Sequence, residues 1–257
     1  MGRFLLLIFL LISISAAADR SHSLLRTVPD VAAPADAAAD DRLYCGSWWF
    51  SVETNNARFW RMVPPRCRGF VEEYMSGDRY ASDSYAVAAE SLAFAESVRI
   101  ADDGKDAWVF DVDETLLSNI PYYAVNGYGS KLFNETSFNE WVSLGRAPAL
   151  PASLRLYEEL LVLGFQIVLL TGRSEAQRKI TEDNLSSAGY HSWRSFILRE
   201  ACDIGKHAVD FKSERRVELE AQGFRIQGCS GDQWSDLLGS SMAKRSFKLP
   251  NPMYYID

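Results

Sequence analysis

The segment Ala107-Trp108-Val109-Phe110-Asp111-Val112-Asp113-Glu114-Thr115 constrains the fold more than any other part of the chain. A short apolar run without polar alternation reads as a strand buried on both faces, as in parallel sheets covered by helices on each side. The run ends abruptly in acidic residues. In open α/β sheets, ligands bind beyond the carboxyl ends of the strands. Asp111 and Asp113 therefore fall where such a fold does its chemistry.

The rest of the chain keeps the same rhythm. Ala88, Leu92, Ala95 and Val98 recur at helical spacing and predict a helix over about 83–98. Leu154, Tyr157 and Leu161 mark another, and Phe165 to Leu170 reads as a second buried strand. Ser174 opens a helix through a capping box with Gln177, and Gly189 closes it. Phe196 to Leu198 predicts a strand, Ser213 to Gln222 a helix closed by Gly223, and Phe224 to Gly228 a strand running into Gly231-Asp232. This alternation predicts an α/β fold, a parallel sheet with helices on both faces. Residues 118–150 break the rhythm with Pro121, Gly127, Gly129, Gly145 and Pro148 among aromatics, and read as a small cap inserted over the strand end.

The N-terminus sets the compartment. Arg3, the apolar run Phe4 to Ile12 and the small residues ending at Ala18 have the pattern of a secretory signal peptide over 1–18. Residues 19–42, Ala-rich with Pro29 and Pro34, read as a flexible leader, and 43–257 as the folded domain. Residues 41–80 hold Tyr44, Trp48, Trp49, Trp60 and Tyr74, and Cys45 and Cys67 bracket the three tryptophans, which suggests a packed extension clamped by a local disulfide. Cys202 and Cys229 read either as a second bridge or as two buried thiols. Neither the cysteines nor His22, His191 and His207 have zinc-site spacing. A formal net charge of −7 and a pI near 5.1 argue against nucleic acid or an anionic membrane as partner. Positive charge for an anionic substrate must then be supplied locally.

The residues just beyond the predicted strands, and one lysine near a helix start, can supply such a site. Asp111 and Asp113 lie past the first strand, and Thr171-Gly172-Arg173 ends the second. Gly231-Asp232 ends the last, with Asp236 four residues on, and Lys212 stands just ahead of the preceding helix. Alone, Asp111 and Asp113 would be no more than caps of a turn. Arg173 reads equally as a substrate contact and as a structural salt bridge. Lys206 competes with Lys212 for the role of the lysine.

In this order, Asp-x-Asp-x-Thr, Thr-Gly-Arg, a lysine and Gly-Asp-x-x-x-Asp resemble the four motifs of the haloacid dehalogenase (HAD) superfamily. Ser51-Val52-Glu53-Thr54-Asn55, Ser118-Asn119-Ile120-Pro121-Tyr122-Tyr123, the stretch Gly231 to Gly239 and Asn251-Pro252-Met253-Tyr254-Tyr255 resemble the plant acid phosphatase and vegetative storage protein group within it. The resemblance runs from about Leu43 to the C-terminus. It implies a HAD-like Rossmannoid sheet with a small, mostly helical cap, Mg²⁺ as cofactor and a small phosphomonoester as substrate. Asp111 would be the nucleophile that forms an aspartyl-phosphate. Asp113 would protonate the leaving group and then deprotonate water. Thr171, Gly172, Arg173 and Lys212 would bind the phosphoryl group. The metal would rest on Asp111, Asp113 through its backbone carbonyl, and Asp232. Asp236 would orient a metal water or Lys212.

The function so implied is a secreted or vacuolar Mg²⁺-dependent acid phosphatase, with no membrane association in the mature form. The alternative is a vegetative storage protein with weak or vestigial activity; retention of Asp111, Asp113, Lys212 and Asp232 favours the enzyme. A phosphotransferase would use the same residues, whereas a dehalogenase has no use for Asp113 and Asp232. Asn134-Glu135-Thr136 and Asn184-Leu185-Ser186 match the N-glycosylation pattern, the first being the better candidate because Asn184 falls on a predicted helix. Monomer and homodimer both remain open.

Overall fold

In the computed structural model, which describes residues 37–257, β1 (Asp106–Phe110) is buried along its whole length. It is the central strand of a parallel five-stranded sheet in the order β3-β2-β1-β4-β5. The other strands are β2 (Gln166–Ser174), β3 (Ser195–Arg199), β4 (Arg225–Gly231) and β5 (Arg245–Lys248). The expected signal peptide and most of the expected leader lie outside the described residues.

Side-chain alternation explains the unbroken apolar run of β1. Ala107 and Val109 face a core with Val168, Leu170, Ile226, Phe211 and Leu219. Trp108 and Phe110 face the opposite core with Ile167, Leu169, Leu156, Tyr157 and Leu160. The first core is closed by α8 (Ala208–Ala221) and α9 (Trp234–Leu237). The second is closed by α3 (Asp78–Ser97), α6 (Pro151–Leu163) and α7 (Arg178–Ser187). Trp108 pairs in register with Gly228 of β4, where a Cβ would lie 2.5 Å from its ring. The indole N–H donates to Ser230 Oγ at 3.0 Å, so its one polar atom is satisfied in the core.

Residues 118–150 hold α4 (Ile120–Val125) and α5 (Glu135–Ser143). Backbone bonds pinch the base of this segment: Ser118 N–H donates to Pro148 O at 2.8 Å, and Leu150 N–H to Leu116 O at 2.9 Å. A third apolar cluster joins Tyr122, Tyr123 and Tyr128 of the segment to Trp48 and Val52 of α1 (Ala37–Glu53). It also takes in Val71 and Tyr74 of α2 (Arg68–Ser76), and Met253 of the C-terminal tail. Gly129, with φ +80°, sits where all three meet; Val63 N–H donates to its carbonyl, and a Cβ there would strike Met253 O. The Cys45–Cys67 disulfide closes a 22-residue separation in this cluster, constraining the unfolded chain by about 3 kcal/mol.

Several expectations are corrected. α1 begins at Ala37, inside the stretch expected as a flexible leader, where alanines favour helix and Arg66 donates to Asp40 and Asp41. Cys202 is exposed and Cys229 buried, and they form no bridge. α8 begins at Ala208 rather than Ser213, so Lys212 lies inside the helix and not ahead of it. No side chain caps that start. The Ala208 N–H is instead met by Asp257 O at 2.7 Å, a long-range contact that local sequence does not advertise. β5 was not anticipated: charged Arg245 and Lys248 flank Phe247, the one buried side chain of this edge strand. Asn184 is buried with its amide donating to Ala147 O (2.7 Å) and accepting from Ala147 N–H (3.0 Å). It ties α7 to the inserted segment and cannot accept a glycan in the folded protein.

Replacing Gly228 by Ala forces a methyl group into the Trp108 ring and should lower stability by about 1–3 kcal/mol. Urea unfolding should show a lower midpoint with an unchanged slope.

Candidate active site

The site is built at the carboxyl ends of β1, β4 and β2. The Asp111 N–H donates to Ser230 O at 3.0 Å, extending the β1–β4 ladder by one residue and delivering the Asp111 carboxylate to the sheet edge. There the Lys212 ammonium, buried in the second turn of α8, donates to Asp111 Oδ1 at 2.6 Å and also to Asp236. Asp236 is held in turn by the Gln233 N–H at 2.9 Å. Lys206, the competing lysine, is paired with Asp203 and Glu214 instead.

Asp232 comes directly after β4. It accepts from Gln233 Nε2 and Asn251 Nδ2, both at 2.7 Å, and its N–H donates to Thr115 Oγ1 at 3.1 Å. One carboxylate oxygen from each of Asp111, Asp232 and Asp236 lies within 4.8 Å of the others. Thr171, fully buried near the end of β2, accepts from the Arg173 N–H at 3.2 Å, leaving its hydroxyl proton to donate; Gly172 beside it is exposed. The Arg173 guanidinium is committed to Asp113 through Nε (3.0 Å) and Nη2 (2.7 Å), and to Thr181 Oγ1 through Nη1 (3.1 Å). Of the two readings open for Arg173, the geometry is that of a salt bridge.

Other contributors had no role assigned from sequence. Glu114 takes a left-handed φ of 53° at the bend after the strand; its buried carboxylate accepts from Asn119 N–H, Asn119 Nδ2 and, at 2.7 Å, Tyr254 O–H. Glu53, the last residue of α1, accepts from Asn251 N–H (2.9 Å) and Lys248 Nζ (3.0 Å). Since Asn251 holds Asp232, the N-terminal extension supports the site and does not merely pack beside it. Each lies in a string that carried the family resemblance, which was the available clue.

Electrostatics follow from burial. The carboxylates of Asp111, Glu114, Asp232 and Asp236 are buried and Asp113 nearly so, facing the cations Lys212 and Arg173. Burial drives Asp111 well above the usual carboxylate range, against the pull of Lys212. Burial, with Asp236 and Glu114 nearby, pushes Asp232 up to about 7. Burial and Asp113 push Glu114 up to about 7. Asp113 goes the other way, because Arg173 outweighs its burial. Lys212 is desolvated, yet Asp111 and Asp236 raise its pKa and keep it charged. The surplus of negative charge and the all-oxygen donor set suit a hard divalent cation.

A parallel doubly wound sheet with these carboxylates, a threonine and a buried lysine at its carboxyl edge defines a phosphoryl-transfer hydrolase. Residues 33–257 match the family HAD superfamily, subfamily IIIB (acid phosphatase), and the chain belongs to it. It is 50% identical to acid phosphatase 1 of Solanum lycopersicum, over 98% of each chain. It is 44% identical to the stem 28 kDa glycoprotein of Glycine max, over 83% of this chain and 84% of that one. It is 37% identical to vegetative storage protein 2 of Arabidopsis thaliana, over 82% and 80%. The class C acid phosphatase of Bacillus anthracis shares the fold, with a TM-score of 0.61 at 22% identity, covering 73% of this chain and 85% of that one. Among the described residues no helix is long and apolar enough to cross a membrane.

The raised carboxylates set a pH dependence. Asp232 and Glu114 ionise near 4 when unfolded and at about 7 when folded, so between these values the native state holds more protons. Stability of the metal-free protein should therefore fall as pH rises from about 4 to 7. Thermal unfolding in chelator should give a lower midpoint at pH 7.5 than at pH 5. Added Mg²⁺ should raise the midpoint more at pH 7.5, where fewer protons compete for the carboxylates. A midpoint that rises with pH in chelator would contradict this account.

Proposed function

We propose that this acid phosphatase is a secreted or vacuolar Mg²⁺-dependent enzyme that hydrolyses small phosphomonoesters through an aspartyl-phosphate on Asp111. The observation that carries the reading is the Asp111 carboxylate itself. One oxygen is fixed by the buried Lys212, and the other has no hydrogen-bond donor among the described residues, beside Asp232 at the sheet edge. An Asp111 oxygen attacks phosphorus as the ester P–O bond breaks, and Asp113, which takes up a proton from the acid medium once the negative phosphoryl group beside it offsets the pull of Arg173, passes that proton to the departing oxygen. Asp113, now a carboxylate, takes a proton from water; the resulting hydroxide attacks the aspartyl-phosphate, releasing phosphate and restoring Asp111. The Thr171 hydroxyl and the Lys212 ammonium stabilise charge on the phosphoryl oxygens. The carboxylates of Asp111 and Asp232 and the backbone carbonyl of Asp113 would hold Mg²⁺, which would supply the neutralisation that a dianion needs to approach this acidic site. Residues 118–150, pinched at their base next to Asp113, close over it as the cap.

The storage role remains the alternative, because the relatives include vegetative storage proteins. Retention of Asp111 with its buried lysine supports catalysis. Purified mature protein should release phosphate from a generic phosphomonoester at acid pH, with activity lost in chelator and restored by Mg²⁺. Asp111→Asn should abolish turnover, and Thr171→Ala should lower kcat by about 10²–10³. Equal activity in wild type and Asp111→Asn would sink the mechanism. Export through the secretory pathway should leave a glycan on Asn134, exposed at the N-cap of α5, and none on buried Asn184, as read by peptide mass mapping.

A further inference from the structure

Asn119 lies at the base of the inserted segment, is fully buried, and has every polar group engaged. Its Nδ2 donates to Asp113 Oδ1 at 2.7 Å and to Glu114 Oε2 at 3.1 Å. Its N–H donates to Glu114 Oε1 at 2.5 Å, and its carbonyl accepts from the N–H groups of Tyr122 (2.9 Å) and Tyr123 (3.0 Å). The remaining atom, Oδ1, accepts from the Trp141 indole at 2.8 Å. An indole N–H can only donate, so it dictates which end of the amide is oxygen and which is nitrogen. Turned round, the amide would set its NH₂ against the indole N–H and its oxygen against two carboxylates. Trp141 on one side and the two carboxylates on the other thus hold Asn119 with its donors toward Asp113.

We propose that Asn119 is a positioning residue for the acid–base Asp113, and that Trp141 of the cap sets it. This rests on the assignment of Asp113 as the proton donor to the leaving group. Arg173 makes two bonds to the Asp113 carboxylate and is itself fixed by Thr181. Asn119 adds the third bond, on the oxygen that Nη2 of Arg173 also holds. The carboxylate is therefore gripped from two sides, one belonging to the sheet and one to the inserted segment. Trp141 is 22 residues further along the chain, on α5, and its ring packs against both the main core and the N-terminal aromatic cluster. Seating α5 and placing the acid are one event: a cap that is out of position withdraws the indole, takes away the anchor on the amide oxygen and loosens the hold of Asn119 on Asp113.

The leaving group supplies a readout that a merely structural role would not move. The proton from Asp113 matters for an alkyl phosphate, whose alkoxide leaves poorly, and matters little for p-nitrophenyl phosphate, whose phenolate leaves unaided. The parameter kcat/KM covers the steps up to phosphoenzyme formation, in which the Asp111–phosphorus bond forms, the ester P–O bond breaks and the proton moves to the departing oxygen. Asp113→Asn provides the benchmark, losing about 10²–10⁴ on the alkyl ester and far less on the nitrophenyl ester. Trp141→Phe keeps a ring and removes the N–H. It should lose about tenfold or more on the alkyl ester and less than about threefold on the nitrophenyl ester. Asn119→Asp, which turns an acceptor toward Asp113, should show the same selective loss with a larger ratio. Thermal unfolding of each variant verifies that the compared proteins are folded. Equal losses on both esters, or none on either, in folded Trp141→Phe and Asn119→Asp would overturn the positioning role while leaving the acid intact. No selectivity in Asp113→Asn would remove the acid assignment, and this inference with it.

Discussion

The buried ammonium of Lys212, shared between Asp111 and Asp236, is the interaction on which the rest of the site depends. Two carboxylates this deep in a protein core repel each other and each costs several kcal/mol to desolvate. The lysine offsets both penalties at once, and it does so from α8, a different element from either partner. Sheet, helix and the turn at α9 are thereby locked to one another by a charge none could bury alone. Removing the cation would leave buried, uncompensated anions, so the same contact that orders the Asp111 carboxylate also holds the fold together around it.

How much of this was legible in the sequence depends on whether the cause was local. The two-sided burial of β1 was readable because Ala107 to Phe110 contains no polar interruption, and the sheet that covers it could be inferred from the repeated alternation. Asp111, Thr171, Lys212, Asp232 and Asp236 could be named because each stands at or near a strand end or in a recognisable motif. The start of α8 was missed because its first N–H is satisfied by Asp257, far away in sequence, while Ser213, where the helix was expected to open, lies inside it and accepts from Ser240 N–H. The supports of Glu114 and Asp232 were missed for the same reason. Asn119, Tyr254, Asn251 and Glu53 acquire their roles only when three distant parts of the chain meet.

Arg173 teaches a related lesson. A guanidinium beside a phosphate-binding threonine suggests a substrate contact, and charge alone cannot choose between that and a carboxylate partner. The choice is made by burial. With its side chain 3% exposed and Asp113 within bidentate reach, the arginine finds its anion inside the protein.

The pinched base of the inserted segment has a consequence for how such a protein can change. Ser118 with Pro148, and Leu150 with Leu116, are joined through backbone groups, which are the same whatever side chains lie between them. The segment is therefore a cassette with a standard fastening. Helices between the two fastenings can lengthen or shift while its ends stay at the sheet edge, provided that Asn119 and Trp141, which reach Asp113 from inside the segment, stay with it. Freedom of shape and a fixed point of attachment thus belong to one stretch of chain, whose border is drawn in peptide bonds.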